Sequence, residues 1–150
     1  MSIHPMNIQQ PVEILLVEDN PGDVRLTREA LSGSAISTRL SVVGDGAEAL
    51  DFLHRRGPHA GAPRPHLILL DLNLPNKTGL QVLAEIKAHA DFRRIPVVVL
   101  TCSEAADDIA QAYDLHANCY IAKPVDYGKF LHVMGVTQQF WIETVKLPSA

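Results

Sequence analysis

The sequence predicts a doubly wound α/β domain in which five parallel strands are covered by helices on both faces. Short runs rich in Val, Ile and Leu alternate with longer segments of helical period, which is the pattern of an open parallel sheet. The chain has 150 residues, 47% apolar and 20% charged, enough for one domain with a buried core and unlike a disordered or collagen-like chain. No apolar run approaches the roughly 18 residues of a membrane span.

A polar leader, residues 1–10, is expected to be loose and precedes the first run, Val12 to Val17. Pro21, Gly22 and Asp23 open a helix that continues through Ser32, with acid in its first turn and Gly33 just beyond. The second run, Arg39 to Val43, is weaker and carries Ser41, as an edge strand does. Asp45 caps a helix that runs to Arg56 and lines up Ala49, Leu50 and Leu53. The stretch Gly57 to Pro65 is rich in proline and glycine and predicts a surface loop. His66 to Leu70 is the third strand, followed by a helix from about Thr78 to His89 with a stripe of Val82, Leu83 and Ile86. The fourth run is Pro96 to Leu100. A helix over Glu104 to His116 follows, with Glu104, Asp107 and Asp108 near its positive end. Cys119 to Ala122 is the fifth strand, and Asp126 caps a last helix carrying Phe130, Leu131, Met134 and Trp141.

Thirteen basic against 17 acidic residues give a net charge of −4, which argues against a broad basic face for nucleic acid. Cys102 and Cys119 do not make a disulfide framework and read as reduced thiols, one small and one in the core. With no secretory signal and no membrane span, a cytoplasmic protein is expected. The seven histidines show no ligand spacing and read as solvated or helix-end residues.

The chemistry lies at the strand ends. The first run stops at Glu18-Asp19, the third at Asp71, the fourth at Thr101 and the fifth at Lys123-Pro124. In a parallel sheet these ends share one edge, outside which ligands bind. Two carboxylates about 4 Å apart repel by roughly 4 kcal/mol at an effective dielectric near 20. Lys123 supplies one positive charge, so a divalent cation is the natural further partner for the three acids. Oxygen donors without His or Cys favour Mg²⁺, with Mn²⁺ as a substitute, over zinc. A carboxylate beside such an ion is able to form an aspartyl phosphate. Asp71, at a central strand end, is the candidate nucleophile, with Glu18 and Asp19 for the metal, and Thr101 and Lys123 for phosphoryl oxygens. Blander readings stand beside these: Asp71 as a helix cap, Glu18-Asp19-Asn20-Pro21 as a turn, Tyr120 as a core aromatic, and Asn73 and Ser103 as loop residues.

The segments LLVEDNPGD, LLDLNLPNKTG, VVVLTCS and NCYIAKPVD resemble the receiver domain of two-component response regulators, over about Val12 to Gln139. That resemblance implies a flavodoxin-like sheet of order 2-1-3-4-5 with five flanking helices, and a single receiver domain over residues 1–150. It implies phosphorylation of Asp71, with Asp19, Asp71 and the Asn73 carbonyl binding Mg²⁺ directly and Glu18 acting through water. Thr101 and Tyr120 match the family's switch pair, and Pro124 matches a proline that is cis in the family. The long Gly57–Pro65 loop departs from the family pattern and is expected to alter a surface, not the chemistry.

The start PVEILLVEDNPGDVRL, the extended loop and the ending FWIETVKLP are similar to single-domain regulators paired with bacterial phytochrome histidine kinases. The implied partner is a sensor histidine kinase, and the implied activity is self-catalysed phosphoryl acceptance and loss, not turnover. Phe140, Trp141 and Ile142 exceed one helical face and predict a homodimer through the last helix and the tail, residues 140–150. The rival is a Mg²⁺-dependent phosphatase with an aspartyl nucleophile, whose pattern has a second acid where this chain has Asn73.

Overall fold

Val-, Ile- and Leu-rich segments pair side by side in the computed structural model, which describes residues 10–149. Apart from Gln10, the leader expected over residues 1–10 lies outside these. The strands are β1 (Val12–Val17), β2 (Thr38–Val43), β3 (Leu67–Leu70), β4 (Val97–Thr101) and β5 (Cys119–Ala122). All pairings are parallel, in the order β2-β1-β3-β4-β5. The helices are α1 (Pro21–Leu31), α2 (Gly46–His54), α3 (Gly79–Ala88), α4 (Ala106–Asp114) and α5 (Tyr127–Gln138). This is the expected fold and strand order; β1 and β5 have the expected bounds, and the other strands shift by one residue at their ends.

Alternation along each strand sorts side chains into two layers. Leu15, Val17, Ile68, Leu70, Val97 and Val99 pack with α2 and α3, while Ile14, Leu16, Leu67, Leu69, Val98 and Leu100 pack with Leu31, Phe130 and Met134 of α1 and α5. Burial on both faces holds for β3, β4 and most of β1. The edge strand β5 is half-buried throughout, because an edge has cover on fewer sides.

Three helix ends fall two residues short of expectation for local reasons; one is the end of α4, which stops at Asp114 ahead of His116, whose φ is 71°. The helix expected to reach Arg56 stops at His54, because Arg55 takes a left-handed conformation with φ of 56°. The helix expected from Glu104 begins at Ala106. Ahead of it the Ser103 hydroxyl binds Asp108 at 2.5 Å and accepts from the Ala105 N–H at 3.2 Å, which holds the loop out of the helix. After α5 the chain widens into a π turn, Gln139–Thr144, that buries Ile142 and lays Trp141 against the sheet. Val136 and Phe140 stay about half exposed, so intrachain packing accounts for only part of the apolar tail.

Candidate functional site

Parallel register delivers the acidic and basic strand ends to one place. Val17 pairs with Leu70, and the Asp71 N–H donates to the Val17 carbonyl at 3.0 Å, so Glu18 and Asp71 leave adjacent strands together. On the other side the Lys123 N–H donates to the Thr101 carbonyl at 2.7 Å.

The Lys123 ammonium is the hub. It donates to Glu18 Oε1, to Asp23 Oδ2 at 2.9 Å and to Asp71 Oδ2 at 3.1 Å. The Lys123 and Glu18 side chains are only 3% and 2% exposed, so these charges depend on one another. Burial pushes the Glu18 carboxyl up to about 7 against the pull of Lys123. For Lys123 burial works against the charge, but hydrogen bonds to Glu18 and Asp23 outweigh it and hold the ammonium above its ordinary range.

The sequence presents Asp23 only as a first-turn acid. Asn20 caps α1 by accepting from the Asp23 N–H at 3.1 Å, so Asp23 occupies the third helical position, folded back over the β1 end. That cap-plus-three spacing was the available signal.

Asp71 is fixed by its own backbone. Oδ1 accepts from the Leu72 N–H at 2.7 Å and the Asn73 N–H at 3.3 Å, while Oδ2 faces Lys123. Asp71 is not the cap of α3; Thr78 is, with Gln81 reciprocating. Gly79 lets α3 press on this loop: a Cβ there would stand 2.2 Å from the Asp71 carbonyl oxygen and 2.6 Å from Leu72 Cα.

Glu18, Asp19 and Asp71 each offer a carboxylate oxygen, all within 4.8 Å of one another. Two Mg–O bonds of about 2.1 Å span roughly 4 Å, so a small inward shift lets these hard donors share one ion. No histidine or cysteine joins a comparable cluster among the described residues. Exposed Asp19 leaves the group open to solvent.

Thr101 is fully buried at the end of β4, one strand from Asp71, and its Oγ1 accepts from the Ser103 N–H at 3.5 Å. The Tyr120 hydroxyl does not reach the acids; it donates to the Ser103 carbonyl at 2.9 Å and ties β5 to the loop before α4. Asn73 is exposed and contributes its backbone N–H to Asp71. The cis bond expected at Pro124 is not present: every peptide bond among the described residues is trans, the isomer that an X–Pro bond favours by roughly 0.5–1 kcal/mol when nothing opposes it. Exposed Cys102 and half-buried Cys119 are free thiols.

Comparison with known proteins bears on this arrangement directly. Residues 14–134 match the response regulator receiver domain family. The response regulator Rcp1 of Synechocystis sp. is 49% identical over 140 residues, spanning 93% of this chain and 95% of that one. A crystal structure of Mn²⁺-bound Rcp1 superposes with a TM-score of 0.91 at 48% identity, covering 93% of this chain and all of the other. The structure of a phosphorylated cyanobacterial phytochrome response regulator, RcpA, gives the same TM-score, 0.91, at the same identity, 48%, and the same coverage, 93% and 100%. The match extends over the strand ends that gather Glu18, Asp71, Thr101 and Lys123, and the chain therefore belongs to the response regulator receiver domain family.

Proposed function

We propose that this receiver works as a phosphorylation-operated relay, with Asp71 as the phosphoryl acceptor. The observation that carries this is the single buried ammonium of Lys123 shared among Glu18, Asp23 and Asp71. A partner sensor histidine kinase, phosphorylated on its own histidine, presents the donor. Asp71 Oδ2 attacks phosphorus, the P–N bond breaks as the P–O bond forms, and the leaving imidazole takes up a proton from solvent. Backbone donation to Oδ1 keeps the carboxylate aimed during attack. Lys123 moves its donation from Oδ2 to a phosphoryl oxygen, and the Thr101 hydroxyl donates to another. Mg²⁺, which Asp19, Asp71 and the Asn73 carbonyl would hold with Glu18 acting through water, would supply charge neutralisation, and Mn²⁺ would serve in its place, consistent with the Mn²⁺-bound relative.

The acyl phosphate replaces the single charge of the Asp71 carboxylate with about −1.5 to −2 beside Thr101 and Lys123. Withdrawal of Thr101 toward it pulls the loop that Tyr120 holds at Ser103, which biases a two-state element on the α4–β5 face. Hydrolysis on Asp71 resets the switch, without turnover of an external substrate. Similarity to a phytochrome response regulator supports a bacterial phytochrome as the kinase, in light signalling in the cytoplasm. Tyr127, Val136 and Phe140, each about half exposed, support a homodimer through the last helix and tail. Sedimentation at micromolar concentration is expected to show a dimer, and a monomer both with and without phosphorylation rejects it.

The phosphatase alternative finds no support in the family match. Mixing the chain with an autophosphorylated histidine kinase is expected to load one phosphoryl group per chain, whereas steady turnover of a small phosphoester would favour the rival.

A further inference from the structure

A second concavity lies at the opposite edge of the sheet. Helices in a parallel α/β fold run against the strands, so the C-terminal ends of α2 and α3 meet the segment leading into β3. There a cavity of about 670 Å³ is lined by His54 and Arg55 from the end of α2, His89 and Asp91 after α3, Arg64 before β3, and Arg94 before β4. Part of its lining is a ring cluster: the His89 and Phe92 rings stack at 4.2 Å, and His54 sets its edge against both, at 5.1 and 4.9 Å.

Charge there is uncompensated. Among the described residues Arg55, Arg64 and Arg94 form no ion pair, although the chain as a whole is acidic. Each helix C-terminus contributes roughly half a negative charge. The two helix ends and Asp91 thus offset about two of the three guanidinium charges, leaving an excess of about one. Burial, then the positive charges of Arg56 and His89, lowers the His54 pKa against the pull of Glu85 and Asp51.

We propose that this cavity is a binding site for the phosphate monoester of a small organic molecule. Guanidinium forks pair with phosphate oxygens in two-point geometry. The group's charge of about −1.5 to −2 covers the excess. The volume is far larger than a phosphate ion and leaves room for a sugar or nucleoside, within the roughly 300–1,000 Å³ typical of ligand pockets.

The test is a titration of the full chain with AMP, adenosine or inorganic phosphate, in metal-free buffer at constant ionic strength, following the imidazole C–H resonances of His54 and His89. AMP is expected to produce saturating shifts, and adenosine none. The Arg64→Gln/Arg94→Gln double variant should weaken AMP by about tenfold or more while unfolding in urea at the wild-type midpoint. Saturation by inorganic phosphate as tight as by AMP also supports the site and assigns its energy to the oxyanion. Absence of saturation by AMP, equal shifts with adenosine, or unchanged AMP binding in the double variant overturns the proposal. If the double variant alone proves unstable, the single Arg64→Gln chain is read by the same criterion.

Discussion

At the C-terminal edge of the sheet charge is buried and paired, and at the N-terminal edge it is exposed and unpaired. Lys123, 3% exposed at its side chain, answers three carboxylates, whereas Arg55 and Arg94 stand in solvent with no acid in ion-pair range among the described residues. The half-buried cation near the second edge, Lys87, is satisfied by the Arg93 and Ile95 carbonyls and Asn118 Oδ1, at 3.1, 2.9 and 3.0 Å, and serves as a staple. The contrast separates two kinds of site. Where charges replace one another's water, each is a structural necessity and its position is fixed. Where they keep their water, removal costs a ligand and leaves the fold unaffected.

Substitutions sharpen that contrast by their size. Lys123→Met leaves a buried acidic cluster without its cation and should cost roughly 3–5 kcal/mol in urea unfolding, and abolish switching as well. Gly79→Ala forces a Cβ into the Asp71 carbonyl and should cost about 1–3 kcal/mol, with phosphoryl acceptance falling in parallel, because the loop that aims Asp71 must shift. Asp23→Asn removes one partly exposed partner of Lys123; about 1 kcal/mol is expected, with acceptance at Asp71 retained. Tyr120→Phe loses one hydrogen bond to Ser103, about 0.5–1 kcal/mol, and hydrogen exchange should quicken in the loop before α4 more than elsewhere. Arg64→Gln/Arg94→Gln should leave all of these readouts unchanged. A large stability loss in that double variant would break the contrast.

The acidic edge was legible because each of its groups directly follows an apolar run, and parallel pairing alone brings such positions together. Glu18, Asp71, Thr101 and Lys123 needed only strand ends to be found. Asp23 escaped because its place depends on how Asn20 caps α1, a detail of side-chain geometry and not of strand order. The second edge was hidden for a stronger reason. His54, His89, Arg64 and Arg94 come from two helix ends and two loops with no shared period, and the histidines by themselves read as solvated or helix-end residues. Helix ends were read least well, since Arg55 in a left-handed conformation and the Ser103–Asp108 bond both override periodicity. The cis expectation at Pro124 rested on the family pattern and not on a local force, and the bond is trans here.

The central claim is that the acids and Lys123 form one metal-assisted acceptor centred on Asp71. Its most direct measurement follows labelled phosphate from an autophosphorylated histidine kinase to the chain, in Mg²⁺ or in EDTA, beside Asp71→Asn. The account predicts label on the wild-type chain in Mg²⁺ and none in EDTA or on the variant. Label that persists on Asp71→Asn, or that transfers equally well in EDTA, would contradict it.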